Sequence, residues 1–144
     1  MKATLLHGSS FTDNRGTLQF VNEENPGNYR RFYLITHPDI TIVRAWQGHK
    51  YEEKAFYAVN GSFFIAVLNP SCFEEPADDE IPDFFKLTTD NNHFLRVPGG
   101  CYTGIKALTP NSTLLVLSGF DLAGSKEDDY RQPVHKWVDW NTII

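Results

Sequence analysis

The sequence predicts an all-β protein built as a sandwich or barrel. Short runs rich in β-branched and aromatic residues recur along the chain, and Gly, Pro and Asn residues separate one run from the next. No segment has a convincing helical period. Of the 144 residues, 14% are aromatic, which supplies enough apolar material for the core of one domain. We therefore expect one domain over residues 1–144, without internal repeats or linkers.

The predicted strands are short, and each is bounded by turn residues. The strongest single signal is Asn60-Gly61, because this dipeptide between two apolar runs favours the tight turn of a β-hairpin. The predicted strands cover residues 16–21, 30–36, 40–46, 55–59, 62–68, 84–88, 93–97, 102–108 and 112–118.

Two segments depart from this pattern. Residues 69–83 combine three prolines with an acidic cluster, which is typical of a solvated loop. After Gly124 the chain is polar over residues 126–130, compatible with one helical turn, and then carries Trp137 and Trp140. Trp side chains near a terminus are rarely left in water. We therefore expect a barrel over about 11–122 and a tail, 123–144, that docks on the barrel or on a partner subunit.

Charge and composition exclude several classes of function. Lys and Arg total 13 against 18 Asp and Glu, so the chain lacks the bulk positive charge that drives binding to nucleic acid or to a membrane surface. No apolar run approaches the roughly 20 residues of a membrane span, and the N-terminus is too briefly apolar for a signal peptide. Cys72 and Cys101 are the only cysteines, which argues against a disulfide scaffold. We expect a cytoplasmic protein with neither a nucleic-acid nor a membrane partner.

The densest polar chemistry lies in residues 44–54. Residues two apart on a strand point the same way, so Gln47 and His49 are expected on one face, with Lys54 at the start of the next strand. If a barrel closes there, His49 and Lys54 form an acid/base pair in an apolar cavity, because a neutral imidazole accepts protons near pH 7. On spacing alone, an ordinary structural histidine is the commoner case.

Several motifs in this region resemble the cupin superfamily. Residues 44–49 with 59–63 resemble its first signature region, and residues 97–100 resemble its second. Within the superfamily, the chain most resembles the sugar-nucleotide branch, which includes the dTDP-4-dehydrorhamnose 3,5-epimerases and the dTDP-4-keto-6-deoxyglucose 3,4-ketoisomerases. This implies a jelly-roll barrel.

The resemblance to that branch spans roughly residues 11–132. The ketoisomerases carry an R-G-G-H-A-H-K stretch, which residues 44–50 resemble, a G-S-L strand, which 16–18 resemble, and a D-Y-x-R tail, which Asp129-Tyr130-Arg131 resembles with the arginine one position earlier. The 3,5-epimerases share D-x-R-G, here residues 13–16, and a lysine seven residues before the hairpin glycine, here Lys54.

The chain also departs from the family pattern. The first His of the H-x-H pair is Gln47, and the His of the second region is Thr103. Only His49 and Glu53 remain of a metal-binding cupin's ligands, so we expect no catalytic metal and no cofactor. The catalytic Tyr of the 3,5-epimerases falls near Val116. His49 would then work with other partners, such as Tyr33, Lys54 or Tyr102.

The resemblance implies proton transfer on a nucleotide-linked 4-keto sugar, with a dTDP-sugar as ligand. A base removes the proton next to the carbonyl, and the enediolate is reprotonated elsewhere. The implied roles are base for His49, proton donor or relay for Tyr33 or Tyr102, oxygen or phosphate stabilisation for Lys54 or Arg44, and further substrate contacts for Arg15, Arg31 and Gln47.

Two function classes stay open at this stage. The first is an isomerase or epimerase of deoxysugar and polysaccharide biosynthesis. The second is a non-catalytic cupin that binds a sugar or a sugar nucleotide, which the replacements at Gln47 and Thr103 would permit. A metal-dependent dioxygenase has too few ligands here. The family is commonly a homodimer, often with exchanged N-terminal strands, and the strand at 16–21 would serve that exchange.

Overall fold

A computed structural model of the protein describes residues 2–22 and 27–144. In that part of the chain, the strands, the α-helix and the 3-10 helix follow in this order: β1 (Thr4–His7), β2 (Ser9–Asp13), β3 (Gly16–Phe20), β4 (Arg31–His37), β5 (Val43–His49), β6 (Lys54–Asn60), β7 (Ser62–Leu68), β8 (Asp83–Thr88), β9 (His93–Val97), β10 (Cys101–Ala107), β11 (Ser112–Ser118), α1 (Leu122–Glu127), β12 (Tyr130–Arg131) and the 3-10 helix (Trp140–Thr142). The strand pairs are antiparallel.

The strands form two packed sheets and a separate ribbon. The first sheet has the order β1-β9-β6-β11-β4, and the second has the order β12-β5-β10-β7-β8. Between them lies a core to which both sheets contribute, with Phe56 and Val116 from the first and Ile65, Val67 and Ile105 from the second. The remaining strands, β2 and β3, pair only with each other. The architecture is the all-β jelly roll that the sequence predicts.

Turn chemistry sets the hairpin between β6 and β7. Gly61 has φ +72°, a left-handed conformation that a side chain disfavours, and a Cβ there would clash with Ser112. The backbone N–H of Ser62 donates to the Ser112 hydroxyl at 3.1 Å, which ties the hairpin to the start of β11.

The C-terminal tail covers the outer face of the second sheet. Trp140 is 1% exposed and packs with Trp46, with their ring centroids 5.6 Å apart. Gly104 permits this approach, because a Cβ there would lie 2.5 Å from the Trp140 ring. The Lys106 ammonium donates to the carbonyls of Trp140 at 3.0 Å and Ile143 at 2.6 Å. The tail thus closes a second apolar cluster behind the sheet.

Most predicted strands are present with small shifts of their ends. Strands β7, β9 and β11 have the predicted bounds, and residues 69–82 contain neither helix nor strand. The third predicted strand is wrong by three residues at each end, since β5 runs from Val43 to His49 rather than over 40–46. The reason is tertiary: β10 pairs Cys101 with His49, and both β10 and β12 pair with Gly48 and Gln47, which extends β5 through the polar segment. Strands β1, β2 and β12 were not predicted.

Helix α1 begins earlier than the predicted turn at residues 126–130. Asp121 caps it, because its carboxylate accepts a hydrogen bond from the backbone N–H of Gly124 at 2.8 Å. None of the helices in residues 2–22 and 27–144 has the length and apolarity to cross a membrane.

Replacing the buried Trp140 by Ala should lower the free energy of unfolding by about 3–5 kcal/mol, because the substitution opens a cavity behind the second sheet. Ile144→Ala is the matched control, since Ile144 is 99% exposed and close in sequence. Equilibrium urea unfolding of both variants measures the effect. Equal midpoints for the two variants would contradict a stabilising tail.

Candidate active site

A cavity of about 530 Å³ opens between the two sheets at one end of the core. Strands β4 and β6 of the first sheet face β5, β10 and β12 of the second across it. Its polar lining consists of Tyr33, Arg44, Gln47, Lys54, Thr103 and Arg131. Three of these side chains are cationic and none is acidic, so the lining itself is basic.

Lys54 is the central cation of this cavity. Its side chain is 7% exposed, and its Nζ donates to the Tyr33 hydroxyl at 3.1 Å and to Gln47 Oε1 at 3.5 Å. The same ammonium lies 3.5 Å from Glu52 Oε2. Sequence reasoning named Tyr33, Gln47 and Lys54 separately, and the fold brings the three together.

Glu52 is the carboxylate of this cluster, and sequence reasoning missed it. Its residue is 1% exposed, and its Oε1 accepts a hydrogen bond from the Ser125 hydroxyl. Sequence reasoning had instead named its neighbour Glu53, which forms an ion pair with Arg96 of β9. The available signal was the two-residue spacing between Glu52 and Lys54, which is the same spacing that associates Gln47 with His49.

His49 lies beside this carboxylate and is not part of the cavity lining. Its Nδ1 is 2.6 Å from the backbone carbonyl of Asp128, and a carbonyl can only accept, so Nδ1 carries the proton. In the neutral ring, Nε2 therefore holds the lone pair. Nε2 is 3.8 Å from Glu52 Oε2, and among the described residues neither atom has a hydrogen-bond partner.

The surroundings of His49 favour the neutral imidazole. Burial lowers its pKa, and the nearby Lys54 charge lowers it further, while Glu52 and Asp128 act in the opposite direction. The net result is a pKa below the usual 6.5. His49 is accordingly unprotonated at pH 7, which is the form able to accept a proton.

Asp128 fixes the loop that follows His49. It is 4% exposed, and its carboxylate accepts hydrogen bonds from the backbone N–H groups of Lys50, Tyr51 and Glu52, each at 2.8 Å. Because its carbonyl also accepts from His49, one residue sets both the loop conformation and the imidazole tautomer.

Asp129 organises the opposite rim. Its Oδ1 accepts from Arg131 Nε at 2.8 Å and from Gln47 Nε2 at 3.3 Å. Burial alone would raise the pKa of Asp129, but the hydrogen bonds from Arg131 and Gln47 hold it below its usual value. Arg131 lines the cavity but was not among the predicted site residues, although it belongs to the tail motif that the sequence shares with the ketoisomerases.

Tyr102, predicted as a proton donor or relay, lies outside the cavity. Alternation along β10 points Thr103 and Ile105 into the cavity and Tyr102 away from it. Tyr102 is 1% exposed, stacks on Phe73 with ring centroids 4.8 Å apart, and donates its hydroxyl to the Phe73 carbonyl at 3.0 Å. Burial raises its pKa. It is a packing residue of the tail-covered face.

Two of the predicted arginines also lie outside the cavity. Arg15 occupies the turn of the β2–β3 ribbon, where its side chain is 84% exposed and pairs with Asp13. Arg31 donates to the Ser125 hydroxyl at 2.8 Å, and its guanidinium lies 5.1 Å from the Tyr33 ring centroid. Arg31 thus supports the cavity wall, and within one chain Arg15 does not reach the cavity. Arg44 is the only arginine of the predicted substrate set in the lining.

Two residues that replace family side chains have different surroundings. Thr103 lines the cavity, whereas Val116 is fully buried in the core between the sheets. Trp46 packs into the tail-covered cluster and does not fill the cavity. Within residues 2–22 and 27–144, no three His, Cys, Asp or Glu side chains are grouped so as to hold a metal ion.

Comparison with proteins of known structure identifies the fold. A 3,4-ketoisomerase from Helicobacter canadensis superposes with a TM-score of 0.73 over 92% of both chains, at 21% identity. A mutant 3,4-ketoisomerase from Thermoanaerobacterium thermosaccharolyticum, solved in complex with TDP-4-keto-6-deoxyglucose, gives 0.69 over 91% of this chain and 88% of that one, at 24% identity. The chain has the jelly-roll fold of these ketoisomerases.

In sequence, the chain is similar to a probable low-salt glycan biosynthesis epimerase of Haloferax volcanii. The two are 27% identical over 142 residues, which cover 92% of this chain and 88% of the relative. No protein-family model matches the chain. The resemblance to the sugar-nucleotide cupins found in the sequence motifs is confirmed by these neighbours.

Asp128→Asn should lower the free energy of unfolding by about 2–4 kcal/mol. The carboxylate accepts hydrogen bonds from three backbone N–H groups, whereas the amide of Asn would point its own NH₂ group at some of these donors. Asp121→Asn at the other end of α1 is the matched control, since Asn caps a helix as well as Asp does. Chemical unfolding of the two variants tests this. Equal stabilities would show that the three hydrogen bonds to Asp128 contribute nothing net.

Proposed function

We propose that this protein is an isomerase or epimerase of a nucleotide-linked 4-keto-6-deoxy sugar. The proposal is carried by one observation, the juxtaposition at the cavity wall of a neutral imidazole, a buried ammonium and a phenol in His49, Lys54 and Tyr33. The sugar-nucleotide cupin fold supports the substrate class, because neighbours with this fold are named as ketoisomerases. The reaction needs neither a metal nor a cofactor.

His49 is the proposed base. The proton it removes lies next to the substrate carbonyl, which acidifies that C–H bond. Nε2 is the accepting atom because Nδ1 is committed to the Asp128 carbonyl. His49 Nε2 is itself buried next to the cavity, so the proposed transfer requires the substrate to displace part of the wall between them.

Tyr33 and Lys54 are the proposed donors to the developing oxyanion. Since the Tyr33 hydroxyl oxygen accepts from Lys54 Nζ at 3.1 Å, its own proton is free to point into the cavity. The hydrogen bond from Lys54 holds that phenol in place, and a preorganised donor stabilises the enediolate more than water does. Reprotonation at another carbon or on the opposite face distinguishes isomerisation from epimerisation.

The remaining cations fit the diphosphate. Arg44 and Arg131 line the cavity beside Lys54, and guanidinium groups match phosphate oxygens in two-pronged hydrogen bonds. Gln47 adds an amide for a sugar hydroxyl. One solved neighbour holds TDP-4-keto-6-deoxyglucose, and a dTDP-sugar is the ligand we propose for this chain.

The proposed setting is cytoplasmic biosynthesis of deoxysugars for a polysaccharide or glycan. Cys72 and Cys101 are both free thiols, as expected of a reducing compartment. The similar protein of Haloferax volcanii is named for glycan biosynthesis, which supports this setting. A non-catalytic sugar-binding cupin is the alternative, favoured by the position of His49 outside the cavity lining.

A homodimer is the proposed assembly. The β2–β3 ribbon exposes Phe11 by 58% and Leu18 by 63%, and the edge strand β4 exposes Phe32 by 68%. Apolar side chains grouped on a ribbon and a sheet edge are typical of surfaces that a second subunit covers. Arg15, at the tip of the same ribbon, would reach a nucleotide only in a partner's cavity.

Solvent deuterium exchange tests the enzyme. With dTDP-4-keto-6-deoxyglucose in D₂O, the wild type should incorporate deuterium at C3 or C5, and His49→Asn should slow incorporation about 100-fold or more. His135→Asn is the matched control, because His135 is exposed on the tail. NMR of the recovered sugar measures the label.

The outcomes separate the two function classes. Absence of exchange in the wild type with any such nucleotide would overturn the catalytic proposal and leave the binding cupin. Exchange that survives His49→Asn would remove only the base assignment, and Tyr33→Phe and Lys54→Met would then identify the residue that transfers the proton.

Sedimentation tests the dimer. Wild-type protein should sediment as two copies of the 16.4 kDa chain, and Phe32→Asp should weaken association at least tenfold, because a charge would be buried at the contact. Ile81→Asp is the control, since Ile81 is 84% exposed in the segment between β7 and β8. A monomeric wild type at micromolar concentration would refute the assembly.

A further inference from the structure

Glu52 is a buried carboxylate that the proposed chemistry does not yet use. We propose that Glu52 is a positioning residue: it stabilises the imidazolium that His49 becomes after accepting a proton, and it holds Lys54 at the cavity wall. This inference rests on the proposed function, in which His49 is the base, and it adds a residue that acts through His49 and Lys54 without touching the substrate.

The geometry places one oxygen between the two groups. Glu52 Oε2 lies 3.8 Å from His49 Nε2 and 3.5 Å from Lys54 Nζ. The other oxygen is occupied, since Oε1 accepts from Ser125, whose hydroxyl in turn accepts from Arg31 at 2.8 Å. The carboxylate is therefore oriented by a contact that involves neither Lys54 nor His49.

Burial makes an unpaired charge on Glu52 energetically costly. An ionised carboxylate that is 1% exposed is costly unless opposite charges face it, and the Lys54 ammonium lies 3.5 Å from it. With His49 neutral, Glu52 and Lys54 form a balanced pair. When His49 gains a proton, a second cation appears in a site that exposes only 6% of its side chain, and Glu52 is the anion that forms an ion pair with it.

The other charges around His49 are already engaged. The Asp128 carboxylate accepts three backbone N–H groups, and Asp129 accepts from Arg131 and Gln47. The charged groups that act on His49 are thus Lys54, which disfavours its protonation, and Glu52 and Asp128, which favour it. Among these anions, only Glu52 has an oxygen without a hydrogen-bond partner.

The chemical step stays balanced with Glu52 ionised throughout. The substrate C–H bond breaks, its electron pair moves toward the carbonyl oxygen, and the proton forms a bond to His49 Nε2. Reprotonation reverses the transfer at another carbon or face. Nothing is oxidised or reduced, and Glu52 only changes the free energy of the protonated imidazole.

A titration that does not need activity is the first test. The imidazole pKa of His49 is followed by NMR in the wild type, Glu52→Gln and the matched control Glu53→Gln, with His49→Asn providing the assignment. Removal of a negative charge that favours protonation should move the His49 midpoint to lower pH by about one pH unit or more in Glu52→Gln. Glu53→Gln, whose carboxylate pairs with Arg96, should leave it in place. An unmoved or raised midpoint in Glu52→Gln would overturn the proposal.

A second pair of variants covers the case in which Glu52→Gln does not fold because Lys54 is left without its counter-charge. Lys54→Met should raise the His49 midpoint, and Lys54→Met with Glu52→Gln should bring it back down by about one pH unit or more. Equal midpoints in the single and double variants would likewise reject a role for Glu52.

The exchange assay is the second test. In Glu52→Gln the plateau rate should fall about tenfold or more while KM changes little, and the acidic limb of the rate profile should move to lower pH. Glu52→Asp should recover part of the rate. If the wild type lacks exchange but the His49 midpoint moves as expected, the proposed function fails while the coupling stands. An active wild type with a Glu52→Gln profile like its own would instead reject the coupling.

Discussion

The candidate site depends on a single aspartate. Asp128 accepts three backbone hydrogen bonds through its carboxylate and a fourth, from the imidazole, through its carbonyl. The turn after β5 has no strand partner to satisfy its N–H groups, so a buried carboxylate from the C-terminal segment takes that place. Because the same contact decides which imidazole nitrogen carries the proton, the tail determines the chemistry of a residue 79 positions away in sequence. The same carboxylate also fixes Glu52, because the backbone N–H of Glu52 is one of its three donors.

The second sheet serves two environments, one on each face. Along β5, Trp46 points to the tail and Gln47 to the cavity, and along β10 the same alternation separates Tyr102 from Thr103. The outer face would be an exposed aromatic surface without the tail, which buries it with Trp140. The cavity and the tail therefore lie on opposite faces of the same sheet. Strand β12, at the edge of that sheet, contributes Arg131 to the cavity.

The distribution of charge reconciles an acidic chain with the anionic ligand that we propose for it. The formal net charge is −5, yet the polar cavity lining holds three cations and no carboxylate. Acidic side chains of the 69–82 segment are engaged elsewhere: Glu74 pairs with Lys50, and Glu80 accepts from Ser71. Electrostatic interactions at a partly enclosed site depend on nearby charges more than on the net charge of the chain. The net charge of the chain therefore does not argue against an anionic ligand in this cavity.

The sequence by itself determined the fold class and most strand positions, because alternation, turn residues and aromatic content are local properties. It also brought Tyr33, Gln47, His49 and Lys54 into one hypothesis. Only the tertiary structure decided which faces these residues share. It moved Tyr102 behind the sheet, placed Arg15 on an exposed ribbon, and brought Glu52 next to the imidazole. The positions of Tyr102 and Glu52 depend on contacts distant in sequence, above all the docking of the segment around Asp128, and no local pattern encodes where a chain returns to meet itself.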